Sequence, residues 1–299
     1  MDFKPLELAD KPVFDAMLGQ RYYENSWFTF TTFFTWRDNF STAWALSEDS
    51  LYLRLQANGL VYFLAPFAAA GRSFAAAVDA AVRESRCRNE PFLMKGLSPA
   101  MWAELDTAFP GRFAMTAQRD YFDYVYRAED LRTLAGRKYH SKRNFVNRFL
   151  AEHTDWSYEP LTAAARADCL AVEQLWCRQR DCTGDGMVGA EYRALTESLD
   201  HFDALQLRGG LIRLAGRPVA FSIGEQLNSD TAVVHMEKAD ASIPGLYALI
   251  NRECCRQAWG DVEYVNREED MGEEGLRKAK ESYYPVRLVE KIKINLREG

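Results

Sequence analysis

The sequence predicts an α+β chain folded as two tandem domains, each a mixed sheet flanked by helices, and three observations carry that expectation. At 299 residues the chain exceeds the usual size of one compact core. The order of predicted elements is the same in both halves. In each half, short turn signals separate three consecutive strand-like runs, Asn58-Gly59 being the strongest because both residues tolerate positive φ.

In the first half, Pro5 to Gln20 reads as a helix and Trp27 to Trp36 as a short aromatic one. Ser41 to Leu46, Leu51 to Gln56 and Leu60 to Pro66 alternate as strands of an antiparallel meander. Ser73 to Arg86 is an alanine-rich helix, Phe92 to Lys95 a strand, Pro99 to Phe109 a helix with Ser98 as N-cap, and Arg112 to Tyr126 a closing strand. The second half repeats the order. Trp156 to Leu161 is a strand, and Ala164 to Arg180 and Ala190 to His201 are helices. Ala204 to Leu214, Pro218 to Leu227 and Thr231 to Lys238 are strands joined at Ala215-Gly216 and Asn228-Ser229. Leu246 to Trp259 is a helix, Val262 to Val265 a strand, Glu274 to Tyr283 a helix and Val286 to Asn295 a last strand. The expected division is 1–127 and 128–299.

Between the halves, Glu129 to Leu150 reads as one long helix with Ala135, Tyr139, Val146 and Phe149 on an apolar stripe that also admits Lys142. The opposite face carries Arg132, Arg137, Lys138, Arg143 and Arg148. Arg137, Lys138, Lys142 and Arg143 are the candidates for contact with phosphate, including that of tRNA, because guanidinium and ammonium groups make charge-assisted bonds there. The alternative is a solvated face.

Composition narrows the function classes. A formal net charge of −6 opposes bulk attraction to nucleic acid and leaves room only for a local basic patch. The start of the chain has no basic, then apolar, export pattern, and Leu60 to Ala70 is too short to cross a bilayer. The expected setting is the cytoplasm. Six cysteines, Cys182 among them, show no C-x-x-C pair and only four histidines are scattered among them, so no metal site is expected and the thiols read as reduced and mostly packed.

The element order matches the GNAT (N-acyltransferase) fold, whose central sheet splays between its fourth and fifth strands. Motifs along nearly the whole chain add a resemblance. Gly136-Arg137-Lys138-Tyr139-His140-Ser141-Lys142-Arg143-Asn144-Phe145-Val146-Asn147-Arg148-Phe149, Thr32-Phe33-Phe34-Thr35-Trp36-Arg37-Asp38, His235-Met236-Glu237-Lys238-Ala239 and Val265-Asn266-Arg267-Glu268-Glu269-Asp270-Met271-Gly272, with Gly275-Leu276-Arg277-Lys278-Ala279-Lys280 following, resemble a bacterial family that shares the C-terminal domain of phosphatidylglycerol lysyltransferases. That resemblance implies two tandem GNAT-like acyl-CoA N-acyltransferase-fold domains, related also to the Fem-type aminoacyltransferases that use aminoacyl-tRNA. It implies a small-molecule or lipid-headgroup acceptor. The lack of a membrane segment sets this sequence apart from the lipid-modifying members.

His235 and Glu237 stand two apart on a predicted strand and share a face, where a carboxylate beside an imidazole suits removal of a proton from an attacking amine. The competing reading is an ion pair of Glu237 with Arg267 or Lys280. Asn251 puts an amide on the following helix. Asn266 and Glu268 at a strand end are candidates to hold a substrate ammonium, and Arg267 a carboxylate or phosphate. Tyr283, four residues after Ala279, fits the spacing at which a tyrosine protonates a leaving group in GNAT enzymes; packed core is the alternative. Ser242 to Tyr247, where an acyl-CoA enzyme carries a glycine-rich loop, offers only Gly245. Three functions remain open: transfer of an aminoacyl group, tRNA-borne or otherwise; acyl-CoA-dependent N-acetyl transfer; and binding of a small ligand without catalysis.

Overall fold

The computed structural model of the chain describes residues 1–179 and 187–297. Cys182 and the expected helix end at Arg180 lie outside the described residues. In chain order the elements of the first 117 residues are β1 (Lys4–Pro5), α1 (Lys11–Leu18), α2 (Phe30–Thr35), β2 (Ala43–Ser47), β3 (Ser50–Ala57), β4 (Leu60–Leu64), β5 (Phe67–Ala68), α3 (Phe74–Cys87), β6 (Leu93–Leu97), α4 (Pro99–Ala108) and β7 (Phe113–Ala117). There follow β8 (Asp123–Arg127), α5 (Ala128–Thr133), α6 (His140–Glu152), β9 (Trp156–Pro160), α7 (Arg166–Gln179), α8 (Met187–Asp200), β10 (Arg208–Leu214), β11 (Arg217–Gln226) and β12 (Thr231–Ala239). The chain continues through α9 (Leu246–Gln257), β13 (Tyr264–Asn266), α10 (Glu274–Glu281), β14 (Arg287–Val289) and β15 (Ile292–Leu296).

The strands form two mixed sheets, in the orders β1-β2-β3-β4-β6-β15-β7, with β5 on β3, and β14-β8-β13-β12-β11-β10-β9. One compact unit comprises Met1–Asp123, Glu269–Glu273 and Val289–Gly299, the other Tyr124–Glu268 and Glu274–Leu288. Each unit is therefore discontinuous in the chain, where the sequence expectation was one division at 127. The reason is an exchange of strands. Arg112 to Tyr126, expected as one strand, is two: β7 pairs with β15 in the first sheet, and β8 pairs with β13 in the second. Val286 to Asn295 likewise splits into β14 and β15, one in each sheet. Alternation of apolar residues tells which side of a strand is buried but not which strand it joins.

The hairpins follow their turn residues. Asn58 and Gly59 both adopt positive φ between β3 and β4, as do Ala215 and Gly216 between β10 and β11. Ser98 caps α4 by accepting from the Met101 amide at 3.2 Å, with Pro99 at the first helical position. In the first unit, Phe14 packs edge-on against Phe30 and Trp44, with ring centroids 5.3 and 5.2 Å away. In the second unit, Tyr124, Tyr126, Tyr139, Val146, Phe149, Leu249, Val265 and Trp259 belong to one buried cluster.

The expected long helix from Glu129 to Leu150 is broken into α5 and α6. Leu134 ends α5 at φ +50 and Gly136 follows at φ +82, so the chain turns before α6 starts at His140. Tyr139, Val146 and Phe149 are buried as expected, but Ala135 is exposed and Leu134 takes its place inside. Among the described residues, no helix is long and apolar enough to cross a membrane and no cluster of His, Cys, Asp and Glu could hold a metal ion.

Candidate functional site

β12 and β13 run parallel and pair over only three positions, Thr231 with Tyr264 through Val233 with Asn266. β13 stops there, while β12 continues for six residues to Ala239. The sheet therefore splays beyond Val233. Asn266 produces the divergence: it is fully buried, and its Oδ1 accepts from the Glu268 amide at 2.8 Å, closing a turn in which Glu268 takes φ +56.

His235 sits at a β-bulge. Val234 pairs with Gly224 and Met236 with Ile223, which leaves His235 the extra residue on β12. Only glycine fits opposite it, because a Cβ on Gly224 would lie 2.0 Å from the Val233 carbonyl oxygen. Both His235 and Glu237 reach the residues just past β13. Glu237 Oε1 accepts from Arg267 Nη2 at 2.8 Å, and its Oε2 from Asn251 Nδ2 at 3.4 Å. The expected ion pair with Arg267 thus exists beside the expected amide of Asn251. Lys280 is placed elsewhere: its ammonium donates to the carbonyls of Arg267 and Glu268.

His235 is held at both nitrogens, Nδ1 2.8 Å from Glu268 Oε1 and Nε2 2.9 Å from Glu225 Oε1. Burial by itself would depress the imidazole pKa, but the hydrogen bonds to Glu225 and Glu268 outweigh it and push the value up to about 10. At neutral pH the ring is an imidazolium donating both protons, with no lone pair left to accept one. Glu225 was not singled out from the sequence. The available signal was a carboxylate in the otherwise apolar run Val219-Ala220-Phe221-Ser222-Ile223-Gly224 of β11.

Tyr283 is buried beside this pair, with the Arg267 guanidinium carbon 5.0 Å from its ring centroid. Burial, partly opposed by Arg267, pushes its hydroxyl up to about 12, so the phenol keeps its proton. Lys142 stacks on the same ring at 4.1 Å, and burial with the nearby Arg267 charge lowers its pKa. Lys142 therefore belongs with the Glu237 cluster, unlike its three basic neighbours. Arg137 and Lys138 are exposed, Lys138 pairing with Asp130 at 3.1 Å. Arg143 donates to the carbonyls of Leu134 and Gly136, capping the chain break before α6.

Among the described residues, Asn251 Oδ1, beside Glu237, has no hydrogen-bond partner. A buried acceptor left empty is costly unless a ligand fills it. Cys254 is buried in the same unit and burial raises its thiol to about 12, which leaves no thiolate for attack. Cys169 and Cys255 are also buried, whereas Cys87 is exposed. A surface pocket of about 450 Å³ lies elsewhere in this unit, lined by Glu129, Arg132, Thr133, Arg252 and Arg256. It shares no residue with the cluster, and its arginines are engaged, Arg132 on the Trp259 and Val262 carbonyls and the other two on Glu253.

Comparison with known proteins gives the fold and the family. A conserved protein of unknown function from Bacteroides thetaiotaomicron VPI-5482 superposes with a TM-score of 0.94 at 36% identity, covering 99% of this chain and 100% of that one. L-PGS from Bacillus licheniformis gives 0.67 at 13% identity over 96% and 91% of the two chains, and FemX 0.62 at 10% over 98% and 97%. At those identities the last two show the fold, a tandem of GNAT-like units. No curated protein matches the chain. Residues 20–294 match the model of the family described as phosphatidylglycerol lysyltransferase, C-terminal, and the chain belongs to that family.

Proposed function

We propose that the chain is a transferase that moves an aminoacyl group, carried on tRNA, onto an amine or hydroxyl acceptor at the splayed part of the second sheet. The observation that carries the reading is Glu237: a carboxylate nine-tenths buried, bonded to Arg267 and Asn251, on the stretch of β12 that has left its partner strand. Family membership supports transfer as the reaction class.

The residues divide the work as follows. The acceptor nitrogen or oxygen bonds to the acyl carbon and gives its proton to Glu237 Oε2, and the bond from that carbon to the leaving oxygen then breaks. Arg267 supplies positive charge beside the oxyanion that forms between these events. Tyr283, protonated at neutral pH, donates to the leaving oxygen, and the proton taken up by Glu237 then returns to the phenolate, restoring both groups. His235 does not take the proton, being an imidazolium already; it holds Glu225 and Glu268 in place. The acceptor is a small molecule or a lipid headgroup.

One observation favours a tRNA-borne donor over acyl-CoA. At the start of α9, where a glycine-rich loop would wrap a pyrophosphate, α6 packs so close that a Cβ on Gly245 would meet the Phe145 carbonyl oxygen at 2.3 Å. The chain's own backbone occupies the place of the cradle. Transfer from aminoacyl-tRNA to phosphatidylglycerol and to small amines, compared between wild type and Glu237→Gln, tests the proposal. The expected result is a loss of at least about 100-fold with a melting temperature close to wild type; undiminished turnover in the variant would remove Glu237 from the reaction.

A further inference from the structure

The surface pocket of about 450 Å³ lies within the second unit and takes no part in the transfer proposed above. Its walls are Glu129, Arg132 and Thr133 of α5 and Arg252 and Arg256 of α9. On each helix these positions are three or four apart, so each set stands on one face. Three guanidiniums are thereby brought to a single concavity.

They are fixed there without being saturated. Arg252 binds Glu253 Oε1 through Nε at 2.8 Å and Nη2 at 2.6 Å, and Arg256 Nη1 approaches the same oxygen at 3.5 Å. Arg132 Nη2 donates to the Trp259 and Val262 carbonyls at 3.2 and 2.6 Å, just past the end of α9. The Arg252 and Arg132 side chains are only 15% and 21% exposed, so both are set in place before any ligand arrives. A guanidinium carries five N–H donors, and these bonds use only some of them. Among the described residues, Arg132 Nε is buried without a partner, Arg252 Nη1 makes no hydrogen bond, and Arg256 is held only by its 3.5 Å approach to Glu253. Glu129 lies 3.4 Å from Arg132 but is mostly exposed, and such a surface pair is weak enough for the carboxylate to swing into solvent.

Unfilled donors around a cavity suit an anion with several acceptor oxygens. A carboxylate fills the fork of one guanidinium, whereas the tetrahedral oxygens of a phosphate can bridge arginines that stand on two helices. The volume falls in the range of roughly 300–1,000 Å³ typical of small-molecule sites, which leaves room for the group that the phosphate esterifies. We propose that this pocket binds a phosphate ester through its phosphate group, held by Arg132, Arg252 and Arg256. The site is independent of Glu237 and of the transfer reaction. Arginines that served only to cap the ends of α5 and α9 would bind no anion, and their loss would lower the melting temperature alone.

Isothermal titration calorimetry of the full chain with sodium phosphate, at an ionic strength held constant with chloride, reads the site. One saturable phosphate per chain is expected, with acetate at least about tenfold weaker. Arg256→Gln weakens phosphate about tenfold or more, while its melting temperature without ligand stays near wild type because the side chain is 54% exposed. Glu129→Gln removes the competing carboxylate and strengthens phosphate about two- to fivefold. Arg148→Gln, at an exposed arginine of α6 outside the pocket, leaves the affinity as it was. Competition with unfractionated tRNA separates the sources of the phosphate. Displacement of phosphate by tRNA, with about tenfold weaker tRNA binding in Arg256→Gln, assigns the site to a nucleic-acid phosphate; phosphate binding untouched by tRNA assigns it to a small ester. Absence of saturable phosphate binding, equal affinity for acetate, undiminished affinity in Arg256→Gln, or the same loss in Arg148→Gln overturns the proposal.

Discussion

Replacing His235 by glutamine gives the most quantitative check on the site. Moving an imidazole from its ordinary 6.5 to about 10 on folding is worth about 5 kcal/mol, at roughly 1.4 kcal/mol per pH unit. Because the folded-state value is the higher one, the contribution is complete below about pH 6.5, where both states carry the proton, and disappears as pH rises through about 10. The gap in unfolding free energy between wild type and His235→Gln should therefore narrow by about 2 kcal/mol between about pH 6.5 and about pH 8.5. Urea unfolding followed by circular dichroism at several pH values measures that gap. Glutamine does not titrate, so a gap that stays constant across this window would show that the imidazole is not an imidazolium between two carboxylates. A gap that widens would mean burial has won over the two hydrogen bonds.

Two substitutions probe other parts of the second unit. Gly245→Ala places a methyl 2.3 Å from the Phe145 carbonyl oxygen at a residue with φ +87, and should cost about 3 kcal/mol, seen as a lower melting temperature; an unchanged melting temperature would mean α6 does not press on the start of α9. Glu173 is 1% exposed, neither carboxylate oxygen has a hydrogen bond among the described residues, and Lys238 Nζ is 3.8 Å away. Burial raises its pKa, with Lys238 opposing, so stability is lost as pH rises above the ordinary glutamate range. Glu173→Gln should then be neutral or stabilising by about 1 kcal/mol at neutral pH, with no gain in acid; clear destabilisation at neutral pH would show that the charge is needed.

Much of the local structure was legible because its causes are local. Asn58-Gly59 and Ala215-Gly216 make the hairpins they predict, and Ser98 caps α4, since each depends on a few adjacent residues. The strand exchange was not legible, because Ile292-Lys293-Ile294 alternates equally well in either sheet. The break at Leu134 was hidden by good helix formers on both sides, its strongest hint being Gly136. In the site, Glu237, Arg267, Asn251, Glu268 and Tyr283 were all singled out and stand together, since strand ends and the helix between them must converge in this topology. His235 was expected as a partner in proton removal, yet its charge depends on Glu225, ten residues away on a neighbouring strand. Asn266 shapes the turn from within. Lys291 escaped notice because a lysine between Glu290 and Ile292 reads as the polar side of an edge strand, and only the fold reveals that it is buried.

The place of β15 has a consequence for biosynthesis. The strand Ile292–Leu296 lies between β6 and β7, so β7 has no partner in the first sheet until those residues have left the ribosome. The stretches Tyr124–Glu268 and Glu274–Leu288, which build the other unit, are made between β7 and β15, so the first unit closes only after them. During translation the facing edges of β6 and β7 stay open to other strands, and a nascent-chain holdase is the natural guard for that interval.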